Sequence, residues 1–348
     1  MSRLLERESL DTGSSEFHLP QGAHSRYMKE VMVDQWIDVH AHFYPPETEE
    51  EIHARWEAMK KGCWTSPAAP RWSPESTLAY MDSAGIAMQM LSNIPKTRDK
   101  LRASNDYAAA LVEKYPNRFG FLAAIPTDDP GSAIDEIRRA SDDLRADGFA
   151  MTFRYNDVYL SDERLEPVWE ELDRRHAVVF GHPDAYAGGV MGRPCALMDV
   201  AFETARTVTD MIYAGIFRKY PNVTMILAHC GGALPALSGR LLLLGNEDWI
   251  PNPNQVTTDE MRKYLQRFFL DTAGVCPTGL APALTMTTPD RLVYGSDCGV
   301  PCSTDRTMNA NLKALLEYPG LTREQVQQIG RRALDLFPAA AKRLQQSR

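Results

Sequence analysis

Short apolar, β-branched or aromatic runs alternate along this chain with longer stretches whose apolar positions recur at helical spacing. Eight runs have strand length: residues 36–43, 86–91, 119–125, 149–153, 177–181, 223–228, 268–271 and 291–294. Helical patterns separate them at 73–85, 104–115, 131–145, 164–176, 199–220, 233–244, 258–266 and 277–286, and two more, 305–317 and 323–337, close the chain. The punctuation agrees with the pattern. Ser73 is a good N-cap, Pro74 suits the first helical position, Gly85 stops that helix, and Pro116 ends the next. Strands that alternate with helices pair in parallel through helical crossovers. Eight such units over about 250–300 residues predict an α/β fold of the (β/α)8, or TIM-barrel, type. An open doubly wound sheet would carry a glycine-rich turn after its first strand; this chain has His40, His42, Pro45 and Pro46 there.

Residues 1–35 are polar, carry charges of both signs and read as an extension ahead of a barrel domain at 36–348. The connection at about 43–72 holds Trp56, Trp64 and Trp72 together with Pro45, Pro46, Pro67 and Pro70. A long aromatic loop on a compact domain is usually functional, so it is expected to be a lid or pocket wall. With 348 residues, 44% of them hydrophobic, the chain can bury a large core. Its net charge of -8 argues against a nucleic-acid partner, which needs a basic face. No apolar run approaches the roughly 18 residues that span a bilayer, so no membrane partner is expected. The six cysteines lack paired zinc-knuckle spacing, and free thiols in a cytoplasmic chain are the expectation.

The chemistry concentrates at the carboxyl ends of the strands, where barrel enzymes build their sites. His40 and His42 end the first strand, two residues apart and so on one side of it. His182 ends the fifth strand, His229 the sixth and Asp297 the eighth. Each has an ordinary explanation alone: a satisfied loop histidine, an imidazole held by backbone groups, or a capping aspartate. Their joint placement around one barrel mouth points instead to a transition-metal site. The remaining histidines, His18, His24, His53 and His176, fall in the tail, the lid or a helix end and are assigned surface or packing roles. Imidazoles with a carboxylate suit zinc, or manganese if the coordination number rises. Arg154, at the end of the fourth strand, either grips a substrate carboxylate or forms a salt bridge at the mouth. Arg71 and the lid tryptophans either line the pocket or pack the lid.

The motifs Asp38-Val39-His40-Ala41-His42, Gly181-His182-Pro183, Leu227-Ala228-His229-Cys230-Gly231-Gly232 and Gly295-Ser296-Asp297 resemble those of the amidohydrolase superfamily. The resemblance runs from about residue 36 to 337 and is strongest to the decarboxylase branch, which includes 2-amino-3-carboxymuconate-6-semialdehyde decarboxylase. The segments 70–82 and 115–121 are most similar to 6-methylsalicylate decarboxylases. It implies His40, His42, His182 and Asp297 as ligands of one divalent ion, with His229 as acid or base. It also implies a homodimer in which Arg240 reaches the neighbouring subunit's site to hold the substrate carboxylate. Binuclear members carry a lysine at the end of the fourth strand; here 150–155 contain none, which implies one metal. After Asp297 stands Cys298-Gly299 instead of the more usual phenylalanine and proline.

The expected activity is non-oxidative decarboxylation of a hydroxylated aromatic acid of the salicylate or 6-methylsalicylate type, with no organic cofactor. Its hard step is protonation of the ring carbon that bears the carboxylate, with Asp297 as first candidate donor and His229 assisting. A hydrolase of a lactone, ester, amide or carbon–carbon bond, using a metal-bound hydroxide, is the alternative. A non-catalytic scaffold has no physical reason to hold metal-type side chains at several separate strand ends.

Overall fold

The computed structural model of the protein describes residues 35–346 except 186, 187 and 190. The extension expected at 1–35 lies outside these residues apart from Gln35, and so do His18 and His24.

Eight strands form the sheet: β1 (Ile37–His42), β2 (Met88–Ser92), β3 (Phe119–Ala124), β4 (Gly148–Thr152), β5 (Val178–His182), β6 (Thr224–Leu227), β7 (Phe269–Asp271) and β8 (Leu292–Val293). They pair in sequence order and every pairing is parallel. The ring closes between its first and last members. Val39 N donates to Tyr294 O at 3.0 Å, His42 N to Cys298 O at 2.7 Å, and Asp297 N to His40 O at 2.8 Å. The eight-stranded parallel barrel expected from the alternation is therefore the fold.

Ile37, Val39, Met88, Met90, Leu122, Ala150, Phe180, Ile226, Phe269 and Val293 form one buried cluster to which every strand contributes, and this is the barrel interior. Ala333, Phe337 and Ala340 from the carboxyl-terminal helices pack onto the same cluster. A larger apolar layer, with Trp36, Phe121, Trp169 and Phe268, lies between strands and helices. Strands buried on both faces explain why their sequences read as continuous apolar runs instead of alternating.

Several features depart from the pattern. The connection at 43–72, expected as an aromatic loop, contains the helix Glu49–Lys61. Its Thr48 and Glu51 form a capping box, its first turn is acidic and its last turn basic, all of which favour a helix. The helix expected at 104–115 starts at Arg98, and the one expected at 199–220 runs Cys195–Tyr213 with a separate turn at Ile216–Lys219. A two-residue hairpin pairs Arg154–Tyr155 with Val158–Tyr159 just beyond β4. Among the described residues, no helix is long and apolar enough to cross a membrane.

Candidate metal centre and active site

A register shift in β1 aims the site. Ile37 and Val39 belong to the interior cluster, but the pairing with β2 slips between Asp38 and Ala41. Beyond the slip, Ala41 and Phe43 join the outer layer, and His40 and His42 take the inward direction. Asp38 fixes this bend from below. Its carboxylate accepts from His40 N at 3.1 Å, Gln89 Nε2 at 2.9 Å, Ser296 N at 3.0 Å and Ser296 Oγ at 2.5 Å, tying β1 to β2 and to the segment after β8. Burial without a countercharge lifts Asp38 to about 6, even with these donors opposing the rise.

Asp297 and His229 are held by unusual backbone. Asp297 has φ 62°, and His229 and Cys230 have φ 52° and 56°, continued by Gly231 and Gly232 at 77° and 59°. Non-glycine residues in the left-handed region cost free energy and are common at functional sites. Gly295 gives the backbone room to cross the site's floor: a Cβ there would lie 2.9 Å from His40 Cβ and 3.0 Å from Asp271 Cβ.

His40 and His42 bring their Nε2 atoms to 3.1 Å from each other, and to 3.1 and 3.2 Å respectively from Asp297 Oδ1. One ligand atom from each of His40, His42, His182 and Asp297 lies within 4.8 Å of all the others. His229 stands beside them, its Nε2 3.8 Å from Asp297 Oδ2. The tautomers follow from the partners. His40 Nδ1 meets Asp271 Oδ2 at 2.6 Å, His42 Nδ1 meets Ser92 O at 3.3 Å, and His182 Nδ1 meets Pro183 O at 2.7 Å. Carbonyl and carboxylate oxygens only accept, so each Nδ1 carries the proton and each Nε2 presents a lone pair to the centre. His182 Nε2 is buried there with no hydrogen-bond partner. With the imidazoles neutral, three lone pairs and a carboxylate face one point, an arrangement that fits a cation.

The charges agree. Burial is the largest influence on His40 and opposes its charged form, but the carboxylates of Asp271 and Asp297 outweigh it and raise the imidazole to about 10. Burial and the neighbouring imidazoles push His182 well below its usual value, and burial also lowers His42. Burial would raise Asp297, yet the positive charge of His40 and hydrogen bonding to the surrounding imidazoles hold it well below the usual carboxylate range.

The family model described as amidohydrolase matches residues 37–342. The chain belongs to the amidohydrolase family. A decarboxylase of Penicillium terrestre, macB, is 32% identical over 331 residues, covering 87% of this chain and 94% of its own. The 6-methylsalicylic acid decarboxylase of Penicillium expansum is 30% identical over 319 residues, covering 87% of this chain and 96% of its own. Among solved structures, an amidohydrolase II superposes with a TM-score of 0.73 at 26% identity, over 89% of this chain and 100% of the other.

In this amidohydrolase the cluster floors a cavity lined by His42, His182, His229 and Asp297, with Thr152, Pro183, Val300 and Pro301 among its walls. Two residues that the sequence reading passed over stand out. Asp271, fully buried at the end of β7, orients His40 while its other oxygen accepts from Cys230 N and Ala273 N. Its position at a strand end was the available signal. Lys96, just after β2, is the one lysine or arginine among the described residues lining the cavity. Its Nζ lies 3.1 Å from Asp184 Oδ2 and 3.2 Å from Arg154 O.

The three arginines considered for substrate lie elsewhere. Arg154 does not line the cavity; its guanidinium faces Asp157 at 3.6 Å and Asp184 at 3.9 Å, the salt-bridge alternative. Arg71 is exposed and grips Glu49 through two bonds, of 2.8 and 2.6 Å, because the unexpected helix brings that glutamate to it. Arg240 is exposed on the helix Leu234–Leu244, outside the cavity of its own chain.

Asp271 gives a direct prediction. Asp271→Asn keeps the shape but weakens the charge that orients and polarises His40, so divalent-metal affinity falls about 10–100-fold. Titration against a competing chelator measures it.

Proposed function

We propose that this amidohydrolase is a metal-dependent, non-oxidative decarboxylase of a hydroxylated aromatic carboxylic acid of the salicylate or 6-methylsalicylate type. The observation that carries the reading is the acceptor-only cage of His40, His42, His182 and Asp297 opening, beside His229, onto a cavity with a single ammonium group among its described lining. Its assignment as a carboxy-lyase is supported by the decarboxylases among its relatives. Three imidazoles and one carboxylate favour zinc, with manganese as the alternative.

When bound, the ion supplies a positive charge that orients oxygen groups of the substrate and stabilises developing negative charge. The chain's own groups do the rest. Lys96, in place of Arg154 and Arg71, faces the substrate's carboxylate or hydroxyl oxygen. His229 and Asp297, 3.8 Å apart, handle the proton. A proton placed on the ring carbon that bears the carboxylate interrupts aromaticity. The carbon–carbon bond then breaks, its electron pair returns to the ring, and carbon dioxide leaves as a neutral molecule past Ile94, Val300 and Pro301. Solvent restores the proton to the pair.

The same reading makes the enzyme a cytoplasmic homodimer. Leu197 and Met198 on the helix Cys195–Tyr213 and Leu243 on the contacting helix Leu234–Leu244 are 70%, 56% and 74% exposed. A second copy covering this face would also place Arg240, on the same helix, at the interface.

The deciding assay offers the enzyme a panel of salicylates and lactones. Carbon dioxide release that stops on chelation and returns with zinc or manganese is the expected result; lactone opening without carbon dioxide would assign the site to hydrolysis. Within that assay, Lys96→Met removes one charge-assisted contact worth about 1.5–3 kcal/mol. KM should rise about 10–100-fold with a smaller change in kcat, and Lys96→Arg should recover part of the loss.

A further inference from the structure

The metal cavity adjoins a second, larger one. By the same measure the inner cavity is about 70 Å³ and the outer about 640 Å³. Tyr44, Trp64, Asn93, Ile94 and Lys96 line both, so the two share a wall. The outer chamber lies between the helix Glu49–Lys61 and the segment after β2, and Ala54, Ala58, Met59, Pro46 and Ala103 give it a mainly apolar surface. Ala54 and Ala58 are four apart and so share one face of that helix, where their small side chains leave the space open. Four of the five charged residues of its lining pair with one another, Arg55 with Glu47 at 2.7 Å and Lys100 with Glu51 at 3.3 Å, while Lys96, on the shared wall, faces Asp184 at 3.1 Å. A chamber whose outer charges are paired, whose remaining lysine sits on the wall toward the metal cage and whose other surface is mainly apolar suits a neutral hydrocarbon group.

We propose that the outer chamber receives an apolar substituent of the aromatic acid, three or more carbons in size, while the hydroxy-acid edge of the ring sits at the metal cage. This rests on the decarboxylase reading and narrows it to an alkyl-substituted hydroxybenzoic acid. The inner cavity is much the smaller of the two, so a bulky group on the ring would find its space past Trp64 and Ile94, which border both. Each methylene buried there is worth about 0.8 kcal/mol, or roughly a fourfold gain in kcat/KM.

The test measures kcat/KM of the metal-loaded enzyme for salicylates bearing hydrogen, methyl, propyl or pentyl at ring position 4, 5 or 6. At one position the values should climb at least tenfold from methyl to pentyl, and Ala58→Trp or Ala54→Trp should flatten that climb. A flat or falling series at all three positions, or a climb that both tryptophan variants leave intact, overturns the proposal and makes the chamber an access route only. If no acid in the series releases carbon dioxide, the decarboxylase reading fails, and the chamber is judged by calorimetric binding of the matching alkylphenols. Pentyl binding tighter than methyl in the wild type but not in Ala58→Trp supports the chamber; equal binding overturns it.

Discussion

His182→Ala enzyme is expected to purify folded, without bound divalent metal and without measurable decarboxylation. The side chain makes one hydrogen bond, from Nδ1 to Pro183 O at 2.7 Å, and its buried Nε2 has no partner. Removing it deletes one of four converging ligand atoms, a larger loss than the 10–100-fold in affinity that groups behind a ligand typically contribute. About 10³-fold weaker metal binding, with turnover falling in step, is the expected scale. Stability should behave differently. Without an ion, His182 Nε2 is a buried acceptor with no partner, so deleting it removes that penalty and offsets part of the lost packing, and the metal-free variant should melt within a few degrees of the metal-free wild type. Metal content of the purified protein, turnover under added zinc or manganese, and thermal melting separate these effects. Normal turnover in His182→Ala would remove this residue from the site.

How much of this was readable beforehand depends on what each inference needed. His40, His42, His182, His229 and Asp297 could be placed because a barrel brings all strand ends to one mouth, so spacing along the chain hardly matters once the strands are found. Arg71 and Arg154, which do not line the cavity, were harder to place for the opposite reason. Where a long side chain ends depends on the charge it meets, and Arg71 meets Glu49 only because the helix Glu49–Lys61 exists. That helix was signalled by Thr48 and Glu51, but the prolines on either side of it and Trp56, Trp64 and Trp72 read as loop. The slip in β1 is not visible in the sequence at all. Period-two alternation from Ile37 would have put His40 on the opposite face from Val39, and the interior would then have held either the apolar residues or the histidines; the slip lets it hold both. Asp271 was hidden by its context. A single acidic residue ending a short strand carries no mark that distinguishes a capping group from one that orients an imidazole.

Asp297→Asn is the more discriminating substitution, because it nearly preserves volume while removing charge and the capacity to exchange a proton. Asp297 is surrounded by three imidazoles, with His40 and His42 at 3.1 and 3.2 Å and His229 at 3.8 Å, and Ser303 Oγ donates to it at 3.0 Å. These neighbours stabilise the anion strongly enough to overcome burial. An amide in that place brings no negative charge to the cation, and its NH2 group can hydrogen-bond to the imidazole lone pairs that the ion would use. Metal binding therefore weakens, and saturating zinc or manganese should restore occupancy. Turnover should not return with it. General acid–base groups contribute about 10²–10⁴-fold, and the amide can neither accept a proton from His229 nor pass one to the ring. At full metal occupancy kcat should thus stay lower by about that factor, whereas KM for the aromatic acid changes only a few-fold because Lys96 is untouched. His229→Asn, tested beside it, should show the same split, and the double variant should lose no more than the worse single one if the pair acts as a unit. Recovery of kcat on adding metal would confine Asp297 to holding the ion and leave proton transfer to His229 alone.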